Sequence, residues 1–189
     1  EYNIRGWLLG MNKDYITAAP GRYFGYELGY DKNPSLGGAW GGLQYNGNIA
    51  GMVWKSKGDG EKRRYDFSYD AANRLLKADF TQYTGSTFNQ TAGINYNMKM
   101  GDGTDVTTAY DANGNIKKMQ QWGLKVDGSA QIDNLTYTYS SNSNKLLKVV
   151  DAVTADYGLG DFKDGSSGSS DDYTYDVNGN LATDGNKAI

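Results

Sequence analysis

Two stretches put oxygen-bearing side chains at the spacing a hard cation favours. Asp111-Ala112-Asn113-Gly114-Asn115 and Asp176-Val177-Asn178-Gly179-Asn180 carry them at alternate positions, like the opening of a calcium loop. Such a loop also needs Gly at its sixth position and an acidic residue at its twelfth. Here those positions hold Ile116 and Trp122 in one stretch, and Leu181 and Lys187 in the other. The better reading is a turn in which the Asp accepts a hydrogen bond from a backbone N–H two residues on. No metal site is assigned.

Asp59, Glu61, Asp66, Asp70 and Asp79 hold enough carboxyls for the acid and nucleophile of glycoside hydrolysis. Lys62, Arg63, Arg64, Arg74 and Lys77 are interleaved with them. That mixture describes a solvated, charge-balanced sheet face. The chain has 0 His and 0 Cys, which removes the commonest general base, thiol catalysis and thiolate metal sites together. Ser and Thr are plentiful, but none sits in a nucleophile motif. No catalytic residue and no cofactor is assigned. Trp7, Trp40, Trp54 and Trp122 read as sheet-face or loop anchors. Trp40, in a Gly-rich loop, is the candidate ligand-facing aromatic.

The elements that carry these residues recur. Tyr69-Asp70-Ala71-Ala72-Asn73-Arg74-Leu75, Tyr110-Asp111-Ala112-Asn113-Gly114-Asn115-Ile116 and Tyr175-Asp176-Val177-Asn178-Gly179-Asn180-Leu181 share one pattern. Tyr139-Ser140-Ser141-Asn142-Ser143-Asn144-Lys145-Leu146 is a fourth copy, with Ser for Asp and one extra residue. Alternating apolar and polar residues precede the motif, as in Tyr65, Phe67 and Tyr69 against Asp66, Ser68 and Asp70, which marks a half-buried strand. Asn-Gly and Asn-Arg suit positive φ, and a second strand starts at the Leu or Ile. Strand, Asx turn and strand make a β-hairpin. The shortened run Tyr45-Asn46-Gly47-Asn48-Ile49 echoes the same turn.

The pattern Y-D-x-x-[NG]-x-[LI] resembles the YD repeat of the RHS-repeat proteins, bacterial secreted and surface proteins related to the shells of tripartite insecticidal toxins and to teneurins. Arg5-Gly6-Trp7-Leu8-Leu9-Gly10 and Phe24-Gly25-Tyr26-Glu27-Leu28-Gly29-Tyr30 resemble further RHS segments. The resemblance implies a segment of a spiral β-shell, secreted or at the bacterial cell surface. It also implies flanking repeats, an enclosed C-terminal toxin or effector or a scaffold role, and secretion or surface machinery as partners. Neither Pro20 nor Pro34 follows an Asp, so the Asp-Pro-x-Gly cleavage motif of such shells is absent.

Composition agrees with strands and turns: 189 residues hold 16 Tyr and 26 Gly but 2 Pro. A net charge of −3 with no basic patch argues against nucleic-acid binding. No apolar run is long enough for a membrane span. The expected fold is all-β, a curved and mainly antiparallel sheet of sequential hairpins over 1–189, with almost no helix. The chain reads as an internal piece of a longer protein, stable mainly beside flanking repeats. Expected strands include Tyr2–Leu9, Arg22–Tyr30, Ile49–Lys55, Arg63–Tyr69, Leu75–Tyr83, Ile94–Met100, Val106–Tyr110, Ile116–Leu124, Leu135–Tyr139 and Leu146–Val150. Met11–Gly21 and Asp31–Gly42 are expected loops, Thr84–Asn89 a polar turn, and 156–172 an exposed Gly/Ser/Asp-rich loop. The motif tyrosines lie 41, 29 and 36 positions apart, which suits hairpins laid side by side with insertions in loops rather than identical coils.

Overall fold

A computed structural model describes residues 1–18, 21–155, 158, 160–165 and 170–187. The chain is mostly antiparallel β-sheet, and the two helices among the described residues span five and four residues. It packs as two compact units, Glu1–Asn97 and Met98–Ile189. No helix among the described residues is long and apolar enough to cross a membrane.

In the first unit, β1 (Gly10–Met11) precedes α1 (Lys13–Thr17), followed by β2 (Phe24–Gly29), β3 (Gly51–Ser56), β4 (Lys62–Tyr69), β5 (Leu75–Tyr83) and β6 (Phe88–Asn89). Each strand pairs antiparallel with the strand before it in sequence. Residues directly opposite share a face. Glu27, Val53, Arg64 and Thr81 therefore form one cross-strand row, and Gly29, Gly51, Asp66 and Asp79 the next. The loop between β2 and β3 folds back over these rows. Trp40 lies on the two glycines: a Cβ at Gly29 would fall 2.0 Å from its Nε1, and one at Gly51 would fall 2.3 Å from its Cε3. The strand glycines thus exist to admit an indole ring. Ile16 from α1, Trp40, Ala50 and Val53 form the core here, with Leu36 and Phe88 packed on it.

The other face is aromatic. Trp54 stacks on Tyr65 at 5.5 Å, Tyr65 on Phe67 at 5.8 Å, and Phe80 meets Tyr96 edge-on at 5.2 Å. The Tyr65 hydroxyl donates to the Tyr96 carbonyl at 2.9 Å, and burial pushes its pKa up to about 12.

In the second unit, β7 (Met98–Met100), β8 (Lys118–Lys125), β9 (Gly128–Tyr139) and β10 (Leu146–Asp151) pair in sequence order, with α2 (Val106–Ala109) between β7 and β8. A final hairpin pairs β11 (Tyr173–Tyr175) with β12 (Leu181–Asp184). Ile132, Leu135 and Val149 are buried.

Four expectations change. Tyr2–Leu9 is not a strand but a turn closed by the single bridge Tyr2↔Leu8. Val106–Tyr110 begins as helix, because the Asp105 side chain caps Thr107 N–H at 2.8 Å and Asp102 binds the N–H groups of Thr104 and Asp105. Ile94–Met100 keeps only β7 as strand. The Asn97 side-chain carbonyl takes the Phe80 N–H at 2.6 Å in place of a ladder bond. The expected loop Met11–Gly21 contains α1, and Pro20 lies outside the described residues. β9 is longer than expected, starting at Gly128 (φ 118) after a tight turn, and the expected polar turn Thr84–Asn89 ends instead in strand β6, which pairs with β5. Much of the expected 156–172 loop, including 156, 157, 159 and 166–169, lies outside the described residues. Its described residues form neither helix nor strand.

The packing of Trp40 gives a direct test. Gly51→Ala should lower stability by about 1–3 kcal/mol through overpacking, read from urea unfolding, and should expose an indole to solvent in fluorescence. An unchanged midpoint would mean that the ring does not rest there.

Candidate functional site

The recurring turn is the best-defined site in the chain. In the three Asp copies, one carboxylate oxygen accepts the N–H groups two and four residues on, at 2.8–2.9 Å. The other oxygen takes a side chain: Arg74 Nε at 2.7 Å for Asp70, Asn115 Nδ2 at 2.8 Å for Asp111, and Asn180 Nδ2 at 2.8 Å for Asp176. The left-handed position falls on Asn73 (φ 63), Gly114 (φ 89) and Gly179 (φ 85). These carboxylates point into their own turns, which leaves no calcium-loop geometry. Hydrogen bonds from Asn115 and Asn180 hold the Asp111 and Asp176 carboxyls below the usual carboxylate range. At Asp70 desolvation pushes upward, but the Arg74 N–H and guanidinium outweigh it and the pKa is lowered. The Ser copy keeps the backbone bond that closes the Asp copies and replaces the carboxylate with a hydroxyl. Ser140 N–H binds the Lys145 carbonyl at 2.9 Å, Lys145 N–H binds Ser143 Oγ at 3.2 Å, and Asn142 takes φ 55.

The spacing from Tyr to aliphatic residue now has a cause. Tyr69 faces Leu75, Tyr110 faces Ile116, Tyr139 faces Leu146 and Tyr175 faces Leu181 across their hairpins. The tyrosine hydroxyl then reaches further. Tyr69 Oη donates to the Ile49 carbonyl, Tyr139 Oη to that of Ile116, and Tyr175 Oη to that of Leu146, each at 2.9 Å. Every acceptor is the aliphatic residue that closes the hairpin before. Turn amides add a second stitch. Asn46 and Asn48 both donate to Asn73 Oδ1, and Asn113 and Asn115 donate to Asn144 Oδ1 at 3.0 and 2.9 Å.

Two further copies escape the sequence pattern. In Tyr2-Asn3-Ile4-Arg5-Gly6-Trp7-Leu8, Asn3 Oδ1 accepts the N–H groups of Arg5 and Trp7 at 2.9 Å, as the Asp carboxylates do elsewhere, and Gly6 takes φ 78. Asn in place of Asp hid it, although the six-residue step from Tyr to Leu is present. Tyr30 Oη donates to the Leu8 carbonyl at 3.0 Å, so Tyr30 is the tyrosine of the β2–β3 hairpin. A long insertion separates it from its aliphatic residue, Ile49.

That insertion places Trp40, the candidate ligand-facing aromatic, at 5% exposure, as an anchor of its loop. Its N–H groups bind Asn33 Oδ1 and the Lys32 carbonyl. Arg64 lies over the ring at 4.6 Å and is itself only 5% exposed. A buried guanidinium needs its donors filled. Arg64 grips Asp66 through two bonds, at 2.6 and 2.7 Å, and the carbonyls of Gly37 and Ala39 at 2.8 and 2.5 Å. This part of the charged face is therefore buried rather than solvated. The other pairs, Asp59–Arg63, Asp70–Arg74 and Lys77–Asp79, neutralise carboxylates one by one. Asp66 and Asp79 stand opposite each other, each with its own cation, which is not the division of labour between acid and nucleophile that glycoside cleavage requires.

Sequence reading also missed Asp133, Asp151 and Asp161, whose carboxylate oxygens converge within 4.8 Å. They come from β9, β10 and a loop, so no linear motif marks them. The one linear signal is an Asp set between the apolar residues Ile132 and Leu135. Asp133 Oδ1 accepts the Phe162 N–H at 2.7 Å, and Asp151 Oδ1 accepts those of Asn134 and Val153 at 2.9 Å. Three carboxylates fall short of the six to eight oxygens calcium takes, and two of them already serve the backbone. Burial pushes the Asp133 carboxyl up, helped by the charges of Asp151 and Asp161.

Comparison with protein-family models and with curated proteins found no match.

A raised carboxyl pKa stabilises the fold fully below the unfolded value of about 3.9 and loses that contribution as pH rises through the folded value. Asp133→Asn keeps an acceptor for Phe162 N–H and removes the charge. It should raise the melting temperature at pH 7, with the gain shrinking as the pH approaches 4. A lower melting temperature at pH 7 would mean that the carboxylate charge is needed in place.

Proposed function

We propose that this chain is a non-catalytic wall segment of an RHS/YD-repeat type protein, secreted or held at a bacterial cell surface. Each hairpin is a course of the wall, and insertions such as the Trp40 loop are confined to hairpin tips. Flanking repeats continue the sheet, and the wall encloses a C-terminal toxin or effector or serves as an extracellular scaffold. The observation that carries this reading is the repeated tyrosine bond to the carbonyl of the preceding hairpin. Such a rule has no built-in stop, so it adds hairpins of the same kind in register, as repeat architectures do.

The rival reading is a carbohydrate- or cell-surface-binding module using exposed Trp and Tyr, with Trp40 as its candidate platform. The indole is buried, bonded and capped by Arg64, so that platform is closed. Electron microscopy of the natural full-length protein tests the proposal. The expected image is a hollow particle with residues 1–187 in its wall. A solid globule, or beads on a string, would overturn it.

A further inference from the structure

The stitches between hairpins follow a rule with two parts. A tyrosine hydroxyl binds the aliphatic carbonyl of the hairpin before it, and turn asparagines hold an asparagine of the hairpin after them. Tyr139 obeys the first part on Ile116, while Asn113 and Asn115 obey the second on Asn144. The last hairpin is seated on β10 in the same manner. Tyr175 Oη binds the Leu146 carbonyl at 2.9 Å, Asp172 N–H binds the Leu147 carbonyl at 2.8 Å, and Lys145 lies over the Tyr175 ring at 5.2 Å.

The outward side of that hairpin repeats the inward-facing design. β12 pairs with β11 on one side and with no strand among the described residues on the other. Its first residue, Leu181, is the counterpart of Ile116 and Leu146, and it is 52% exposed. No tyrosine among the described residues sits on its carbonyl. The turn beside it, Asp176-Val177-Asn178-Gly179-Asn180, has the composition of Asp111-Ala112-Asn113-Gly114-Asn115. It also has the same internal bonds, with Asn180 Nδ2 on Asp176 Oδ2 at 2.8 Å as Asn115 Nδ2 is on Asp111 Oδ2. Asn113 and Asn115 use their amides to hold Asn144 of the following turn. Asn178 and Asn180 present the same amides with no asparagine between them among the described residues.

We propose that the open edge of β12 is the seat for one further β-hairpin of defined chemistry. That hairpin carries a tyrosine at its strand end, whose hydroxyl takes the Leu181 carbonyl. It carries an asparagine in its turn, which Asn178 and Asn180 grip. Its aliphatic residue faces the tyrosine and offers the next carbonyl. This deepens the wall reading and rests on it, by naming the atoms of the next joint.

The hairpin that obeys this rule within the chain supplies the probe. Residues 135–151 contain Tyr139, Asn144 and Leu146, and Leu135 faces Asp151, so the peptide can be closed head to tail across that pair. Amide hydrogen exchange of the 189-residue chain is followed without and with this cyclic peptide, up to about 1 mM. The expected result is added protection over 176–184. Peptides with Tyr139→Phe or Asn144→Ala should bind about fivefold more weakly, the effect of one hydrogen bond. Protection of 176–184 that grows with protein concentration alone, and is lost in Tyr2→Phe, would be the same seat filled by the Tyr2 hairpin of a second copy. The proposal is overturned if 176–184 stays unprotected both with and without peptide. Protection confined to the β1 edge, or equal binding of the phenylalanine peptide, overturns it too. A hollow particle without peptide capture would leave the wall and remove this joint; peptide capture with a solid particle would do the reverse.

Discussion

A phenolic hydroxyl that reaches across one strand to a backbone carbonyl is the constraint from which the rest of this chain follows. Tyr69, Tyr139 and Tyr175 each make that bond at 2.9 Å, and Tyr30 makes it at 3.0 Å. A net hydrogen bond of this kind is worth about 1 kcal/mol. Its greater effect is on register. A slip of one residue would swing the ring to the opposite face of the sheet. The aromatic body supplies burial, and the polar tip fixes the neighbour, a pairing only tyrosine combines at this length.

The turn chemistry serves the same end. The carbonyl must arrive at a fixed height, so each hairpin must reverse in a fixed number of residues. Asp70, Asp111 and Asp176 set that number by holding the N–H groups two and four residues on. The following Asn or Gly absorbs the left-handed backbone that results. Where the chain departs from this turn, other means restore the spacing. The β2–β3 hairpin folds its long insertion back over the sheet and pins it through Trp40, Gly29, Gly51 and Arg64. The tyrosine and its carbonyl partner stay in register on either side of it.

How much of this is legible before folding depends on the element. Period-two alternation locates β4 and β5 nearly to the residue, because they flank one motif turn. The motif tyrosines and aliphatic residues are also legible, but the pairing of Tyr175 with the Leu146 carbonyl is not, since it joins residues from different hairpins. Local side-chain bonds defeat the strand reading elsewhere. Asp105 turns Val106-Thr107-Thr108 into helix despite its β-branched residues, and Asn97 takes over a ladder position near β7. Asn3 in place of Asp hides a copy that behaves like the others. Trp40 reads as a sheet-face or loop anchor and is one, but what it anchors to is not legible, because Gly29 and Gly51 lie in two other segments. The Asp133, Asp151 and Asp161 cluster is assembled by topology alone.

The central claim is that the tyrosine hydroxyl, and not merely its ring, fixes each hairpin on the one before it. It is tested most directly by urea unfolding of Tyr69→Phe, Tyr139→Phe and Tyr175→Phe, each compared with Tyr23→Phe at an exposed position. The account predicts a loss of about 0.5–1.5 kcal/mol for each of the three and essentially none for the control. Three phenylalanine variants as stable as the parent would contradict it.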